Sequence, residues 1–221
     1  PIWSGCVVTA YYNLNDVEFL TANVAIAVGK TGSALRTNNA DAQGATVWDV
    51  IVLGEVSLQE GLNGLYAITQ HDYNFKAVSF LDDQTGFIVG DKGIVLYTSD
   101  GGFHWQQQLR PISCRTFAVE GCFSESNHGI TWNDVVAMRT DIANQFRVVL
   151  IGAGGQMKVG MATSYGDSNN NVWLWSNRTL EITTDLKAMV FADVNHGWVV
   201  GAEGVILKTS DGTATWIQQT A

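Results

Sequence analysis

The sequence predicts an all-β chain: a β-propeller of four-stranded antiparallel blades, with four recognisable repeats and one surplus N-terminal strand. Three observations predict it. Residues 76–105 (KAVSFLDDQTGFIVGDKGIVLYTSDGGFHW) and 187–216 (KAMVFADVNHGWVVGAEGVILKTSDGTATW) are two copies of one stretch, in register at their apolar positions, glycines, Thr-Ser-Asp and final Trp. The composition suits many short strands and tight turns, with 23 Gly among 221 residues, two Pro, eight Trp and only 15% charged side chains. No segment carries a helical apolar period.

Within a copy, four strands follow in order. Strand A alternates apolar residues, as at Val78 and Phe80 or Met189 and Phe191. Strand B is the run at Phe87–Val89 or Trp198–Val200. The next turn, Asp91-Lys92-Gly93 or Ala202-Glu203-Gly204, reads as a type I turn plus one left-handed residue, the glycine. Strand C is Ile94–Thr98 or Val205–Thr209, and a second turn leads to strand D at the Trp. That second turn, Thr98-x-Asp100-x-Gly102-x-x-Trp105, fits an Asp-box, in which a short acid accepts hydrogen bonds from the turn's own amides. Thr209, Asp211 and Trp216 repeat it with Thr213 in place of the glycine. These residues are expected to be structural, with the Trp filling the wedge between sheets.

Two worn copies complete the set. Val17–Leu20 leads to Val24–Thr37 and Trp48, and Asp134–Met138 leads to Phe146–Ser164 and Trp173. Each copy keeps a Gly-x-x-Gly step: Gly29/Gly32, Gly90/Gly93, Gly152/Gly155 and Gly201/Gly204. One domain over 1–221 is expected, with repeats near 15–48, 75–105, 132–173 and 185–216. Ile2-Trp3 and SGCVVTAYY look like a fifth strand D, so residues 1–14 are surplus. Three readings stay open: a piece of a larger propeller, a small closed one, or a strand donated to another copy, which would dimerise or propagate. The connections 49–74 and 106–131 differ between copies and are expected to carry individuality.

The motif Gly-Trp-Val-Val-Gly…Gly-Val-Ile-Leu-Lys-Thr-Ser-Asp-Gly…Trp resembles the repeat of the photosystem II assembly and stability factors, within the wider group of neuraminidase-type Asp-box propellers. The resemblance is specific over 76–105 and 187–216 and looser over 17–48 and 134–173. It implies a propeller that binds protein partners outside the cytoplasm, without catalysis.

Other chemistry is weighed against this. The formal charge of −9 disfavours nucleic acid and anionic membrane as partners. No apolar run approaches the roughly 20 residues of a membrane span. Gly152-x-Gly154 after a strand lacks the third glycine and the helix of a dinucleotide site. Asp167–Asn171 begins like a calcium loop but lacks its later glycine and acid. His71, His104, His128 and His196 have no zinc spacing. A sialidase needs clustered arginines and a Tyr nucleophile, and the six arginines are scattered. No metal or cofactor is expected. Cys114 and Cys122 flank a plausible hairpin and could pair, with Cys6 left over; three free thiols are the alternative. Asn177-Arg178-Thr179 is a glycosylation sequon, usable only on a eukaryotic secretory route.

A candidate binding face lies at one end of strand A: Asn15, Lys76, Asn133 and Lys187, with Asp16 and Asp134 beside two of them. Solvated strand ends are the plainer reading of these positions. The expected function is a non-catalytic extracytoplasmic or secreted protein-binding module that assists assembly. Alternatives are a fibre or homo-oligomer subunit joined through the N-terminal strand, and a carbohydrate-binding or sialidase-like propeller.

Overall fold

The computed structural model describes residues 12–40, 47–51, 53, 55–61, 64–69, 72–108, 130–163 and 173–220. The surplus strand at Ile2-Trp3, all three cysteines with the Cys114–Cys122 pairing, His71, His128 and the 167–171 loop lie outside these residues.

Four antiparallel four-stranded sheets follow one another, each strand pairing with the next in sequence. Blade 1 is β1 (Leu14–Phe19), β2 (Ala25–Gly29), β3 (Ala34–Thr37) and β4 (Asp49–Val50). A separate hairpin, β5 (Glu55–Gly61) and β6 (Gly64–Thr69), comes next. Blade 2 is β7 (Phe75–Phe80), β8 (Gly86–Gly90), β9 (Val95–Thr98) and β10 (Gln106–Gln107). Blade 3 is β11 (Trp132–Arg139), β12 (Gln145–Gly152), β13 (Met157–Thr163) and β14 (Leu174–Arg178). Blade 4 is β15 (Leu186–Phe191), β16 (Gly197–Gly201), β17 (Ile206–Thr209) and β18 (Ile217–Gln218). The four-repeat all-β propeller predicted from the sequence is therefore the fold.

The copy-specific connection 49–74 contains the β5–β6 hairpin. Two local expectations need correction. The outer strands begin one residue after the Trp, at Asp49, Gln106, Leu174 and Ile217. The B–C turn holds two left-handed residues in succession: Lys92 at φ 52° before Gly93 at φ 74°, and likewise Thr31 before Gly32 and Glu203 before Gly204. Its first glycine answers a different need. A Cβ on Gly90 would stand 2.2 Å from the Asn74 carbonyl oxygen, which accepts a hydrogen bond from Asp91 N. Thus the step demands one glycine for space and one for backbone conformation.

Alternation on each strand gives each blade two apolar faces, and neighbouring blades bury them together. Three buried clusters result. Ile26, Val28 and Ala34 of blade 1 meet Val78, Phe80 and Ile88 of blade 2. Phe87, Val89 and Tyr97 of blade 2 meet Trp132, Val148 and Trp173 of blade 3, with Phe87 and Trp173 edge to face. Val149, Ile151 and Val159 of blade 3 meet Met189, Val199 and Leu207 of blade 4. Among the described residues no buried cluster joins blade 4 to blade 1.

Candidate functional site

Strands β1, β7, β11 and β15 are first in their blades and pack against one another in sequence. They carry the binding-face candidates, and the geometry gives two of these a bonding role. Asn15 Nδ2 donates to Phe75 O of blade 2 at 2.5 Å, and Asp16 Oδ2 accepts from Val78 N at 2.9 Å. Asn133 and Asp134 repeat both bonds from blade 3 to blade 4, to Leu186 O at 2.6 Å and from Met189 N at 2.6 Å. Blade 2 has Lys76-Ala77 at these places and blade 4 has Lys187-Ala188. The middle seam is bridged differently, with Ser79 Oγ accepting from Ala137 N and an ion pair between Arg139 and Asp82. Lys187 pairs with Asp185 at 2.8 Å. The four candidates thus share one end of the inner strands, but two of them are Asn clips between blades.

Glu18, two residues beyond Asp16 on the same side of β1, was missed by the sequence reading. It accepts from Phe80 N at 2.8 Å. Burial pushes its carboxyl up to about 7, against the bond from Phe80, and the charge of Asp16 adds to the rise. Asp134 is pushed up to about 6, again chiefly by burial and then by Asp16. Burial also raises Asp16 itself, opposed by its bonds from Val78 and Val17. The signal available in the sequence was a charged residue at a strand-A position where the other copies place Ser79, Val136 and Val190.

In the second turn of blade 2, Thr98 Oγ1 donates to Asp100 Oδ1 and accepts from Gly102 N. Asp100 Oδ1 also accepts from His104 N, and Trp105 Nε1 donates to Gly102 O at 3.0 Å. Burial would raise the Asp100 carboxyl, but the bonds from His104 and Thr98 hold it below its usual value. Blade 4 repeats the pattern through Thr209, Asp211 and Thr215. Blade 1 does so with Asn39 accepting from Val47 N, a working copy hidden by the Asp-to-Asn change. Asn177 is exposed on β14 and bonded to Lys158.

Blades 1 and 4 each leave apolar side chains exposed at positions that blade 2 covers. On the outward face of blade 4, Val190 is 61% exposed, Trp198 36% and Val200 43%. Their blade 2 counterparts, Ser79, Phe87 and Val89, are buried. Val17 and Phe19 of blade 1 are likewise 55% and 60% exposed, where Val78 and Phe80 are buried in blade 2. Lys208 Nζ stands 5.4 Å over the Trp198 ring. Among the described residues no three or more His, Cys, Asp or Glu are placed to hold a metal, and no helix is long and apolar enough to cross a membrane.

A family model described as photosynthesis system II assembly factor YCF48 matches residues 167–221, which include the second clean copy at 187–216. No curated protein matches the chain. Among solved structures, the chain is similar to YCF48 from Cyanidioschyzon merolae, at 14% identity over 96% of this chain and 86% of that one, with a TM-score of 0.37. It is similar to YCF48 bound to D1 peptide, at 16% identity over 94% and 80%, with a TM-score of 0.40. It is also similar to the WD40 β-propeller domain of Doa1, at 10% identity over 93% and 68%, with a TM-score of 0.44. The blade assignment rests on the strand pairing, not on these likenesses.

Proposed function

We propose that this chain is a non-catalytic protein-binding propeller that assists assembly and acts outside the cytoplasm. One observation carries the reading: the outward face of blade 4 keeps Val190, Trp198 and Val200 in solvent where every equivalent position in blade 2 is covered. Apolar residues grouped on one sheet face, with an aromatic among them, are the surface chemistry of a protein contact. The match of residues 167–221 to the assembly-factor model covers this same blade. The extracytoplasmic part is supported by the family resemblance alone, and fractionation of the source cells tests it.

The contact is tested with Trp198→Lys/Val200→Lys, which leaves the covered side of blade 4 intact. Wild-type protein is expected to retain a stoichiometric protein partner on a column, identified by mass spectrometry. The double variant, with an unchanged circular dichroism spectrum, is expected to lose it by at least tenfold, in line with the ~1.4 kcal/mol or more that a central aromatic contributes. Equal retention of the same partner by both proteins would remove the reading.

A further inference from the structure

The chain has four methionines, and all of them lie in one seam. Met157 and Met189 are 1% and 9% exposed within the cluster that joins blades 3 and 4. Met138 and Met161 pack against that cluster and keep part of their surface in water. The clusters that join the other blades hold no methionine and are built from aliphatic and aromatic residues. A thioether in a core packs like hydrocarbon and accepts hydrogen bonds only weakly. Oxidation to the sulfoxide makes the same side chain polar. What that change does depends on the neighbours of the sulfur.

Met138 on β11 stands opposite Arg147 on β12, and Arg147 stands opposite Met161 on β13. Residues directly opposite on antiparallel strands share a face, with Cβ atoms about 4.5–5.5 Å apart. Arg147 therefore lies between the two methionines on the face turned to blade 4. Its Nη1 donates to Val194 O, in the β15–β16 turn, at 2.6 Å. The same guanidinium packs against the β17–β18 turn, where a Cβ on Gly212 would stand 2.6 Å from Nη1. One side chain of blade 3 thus meets both turns at this end of blade 4. The bond from Asn195 Nδ2 to Asp141 at the same end is longer, at 3.4 Å, and exposed.

We propose that Met138 and Met161 form a paired oxidation site through which peroxide loosens blade 4. The sulfur lone pair attacks one oxygen of hydrogen peroxide, and the S–O bond forms as the O–O bond breaks. The sulfur gives up two electrons, and the proton on the transferred oxygen passes to the departing hydroxide, which leaves as water. The sulfoxide oxygen is a strong acceptor beside a guanidinium. Arg147 turns to it and gives up Val194 O, which releases the β15–β16 turn. Met157 and Met189 lie deeper in the seam and are shielded from the oxidant. The site is separate from the outward face of blade 4, since Met189 and Val199 meet blade 3 while Val190 and Trp198 stand in solvent.

The test treats the folded protein with millimolar hydrogen peroxide and locates the added oxygen by peptide mass spectrometry. Met138 and Met161 are expected to oxidise at least about tenfold faster than Met157 and Met189, because susceptibility follows exposure. Hydrogen exchange in β15, β16 and β17 should then quicken about tenfold or more, the effect of losing one hydrogen bond from a charged donor, while β7, β8 and β9 keep their rates. Met138→Leu/Met161→Leu conserves volume, so it is expected to fold normally and to show no quickening with peroxide. That variant keeps the cysteines and tryptophans, so it separates their oxidation from that of the two methionines. Arg147→Leu is expected to exchange in blade 4 like oxidised wild type before any peroxide is added, and to change little on oxidation. Four outcomes would overturn the proposal: equal oxidation of all four methionines, unchanged exchange in blade 4 once Met138 and Met161 are oxidised, the same quickening in the double leucine variant, or a full further quickening in oxidised Arg147→Leu.

Discussion

Gly90 and Gly204 look alike in sequence and do different work. At Gly90 any Cβ collides with the Asn74 carbonyl, a fixed backbone atom held by Asp91 N. At Gly204 a Cβ meets nothing within 4 Å, and only the φ of +75° resists a side chain. Gly90→Ala is therefore expected to cost about 3 kcal/mol or more and Gly204→Ala about 1–2 kcal/mol, measured by urea denaturation. Equal losses would show that backbone conformation, not space, governs both positions. Much of this scale was legible in advance. The Thr-x-Asp turns and the glycine steps could be read directly, because each residue type answers a local demand. Asn39 was not legible, because Asn accepts the same bond with a different letter. The bonding of Asn15 and Asn133 was hidden for another reason: their partners lie 60 and 53 residues away.

At the scale of the strand, β1 joins blade 2 through two carboxylates, Asp16 and Glu18, set on backbone amides. Both carboxyls are raised, and Glu18 reaches about 7. The folded state therefore holds protons that the unfolded chain releases, so stability falls as pH rises. The contribution is complete below about 4.5, the value for an unperturbed Glu, and is lost as pH climbs through about 7. Asp134 adds the same trend up to about 6. The urea midpoint is expected to fall between pH 5 and pH 8, and Glu18→Gln, whose amide oxygen still accepts from Phe80 N, should flatten that fall. A midpoint that rises over this range would contradict the burial of these acids. The strands themselves were legible from alternation, which reports only which residues avoid water. Blade-to-blade bonding depends on which residue stands opposite, and one sequence does not state that.

For the whole molecule, stability is distributed unevenly along the run of blades. The middle blades are covered on both faces, while blade 1 and blade 4 each show an apolar face to solvent. Hydrogen exchange read by mass spectrometry should find the slowest amides in β8 and β12 and faster ones in β1, β15 and β16. Uniform protection across the four blades would mean that the outer faces are covered in solution. That four blades lie within these residues was readable from the repeats, and so was their order. That blade 1 leaves an apolar face uncovered was not, because Val17 and Phe19 are as apolar as their buried counterparts Val78 and Phe80.

The Asn-Asp clip occurs at blades 1 and 3 and is absent from blades 2 and 4, where Ala77 and Ala188 take the acid's place. Asp16 and Asp134 already sense each other across the intervening blade. The alternation works as a spacing rule, like that of like ions on a lattice with every second site vacant. A carboxylate at Ala77 would stand between the two existing ones, and each added negative charge makes the others harder to ionise. The blades are thus alike in strand order but fall into two electrostatic classes, those with an acid at this place and those with an alanine.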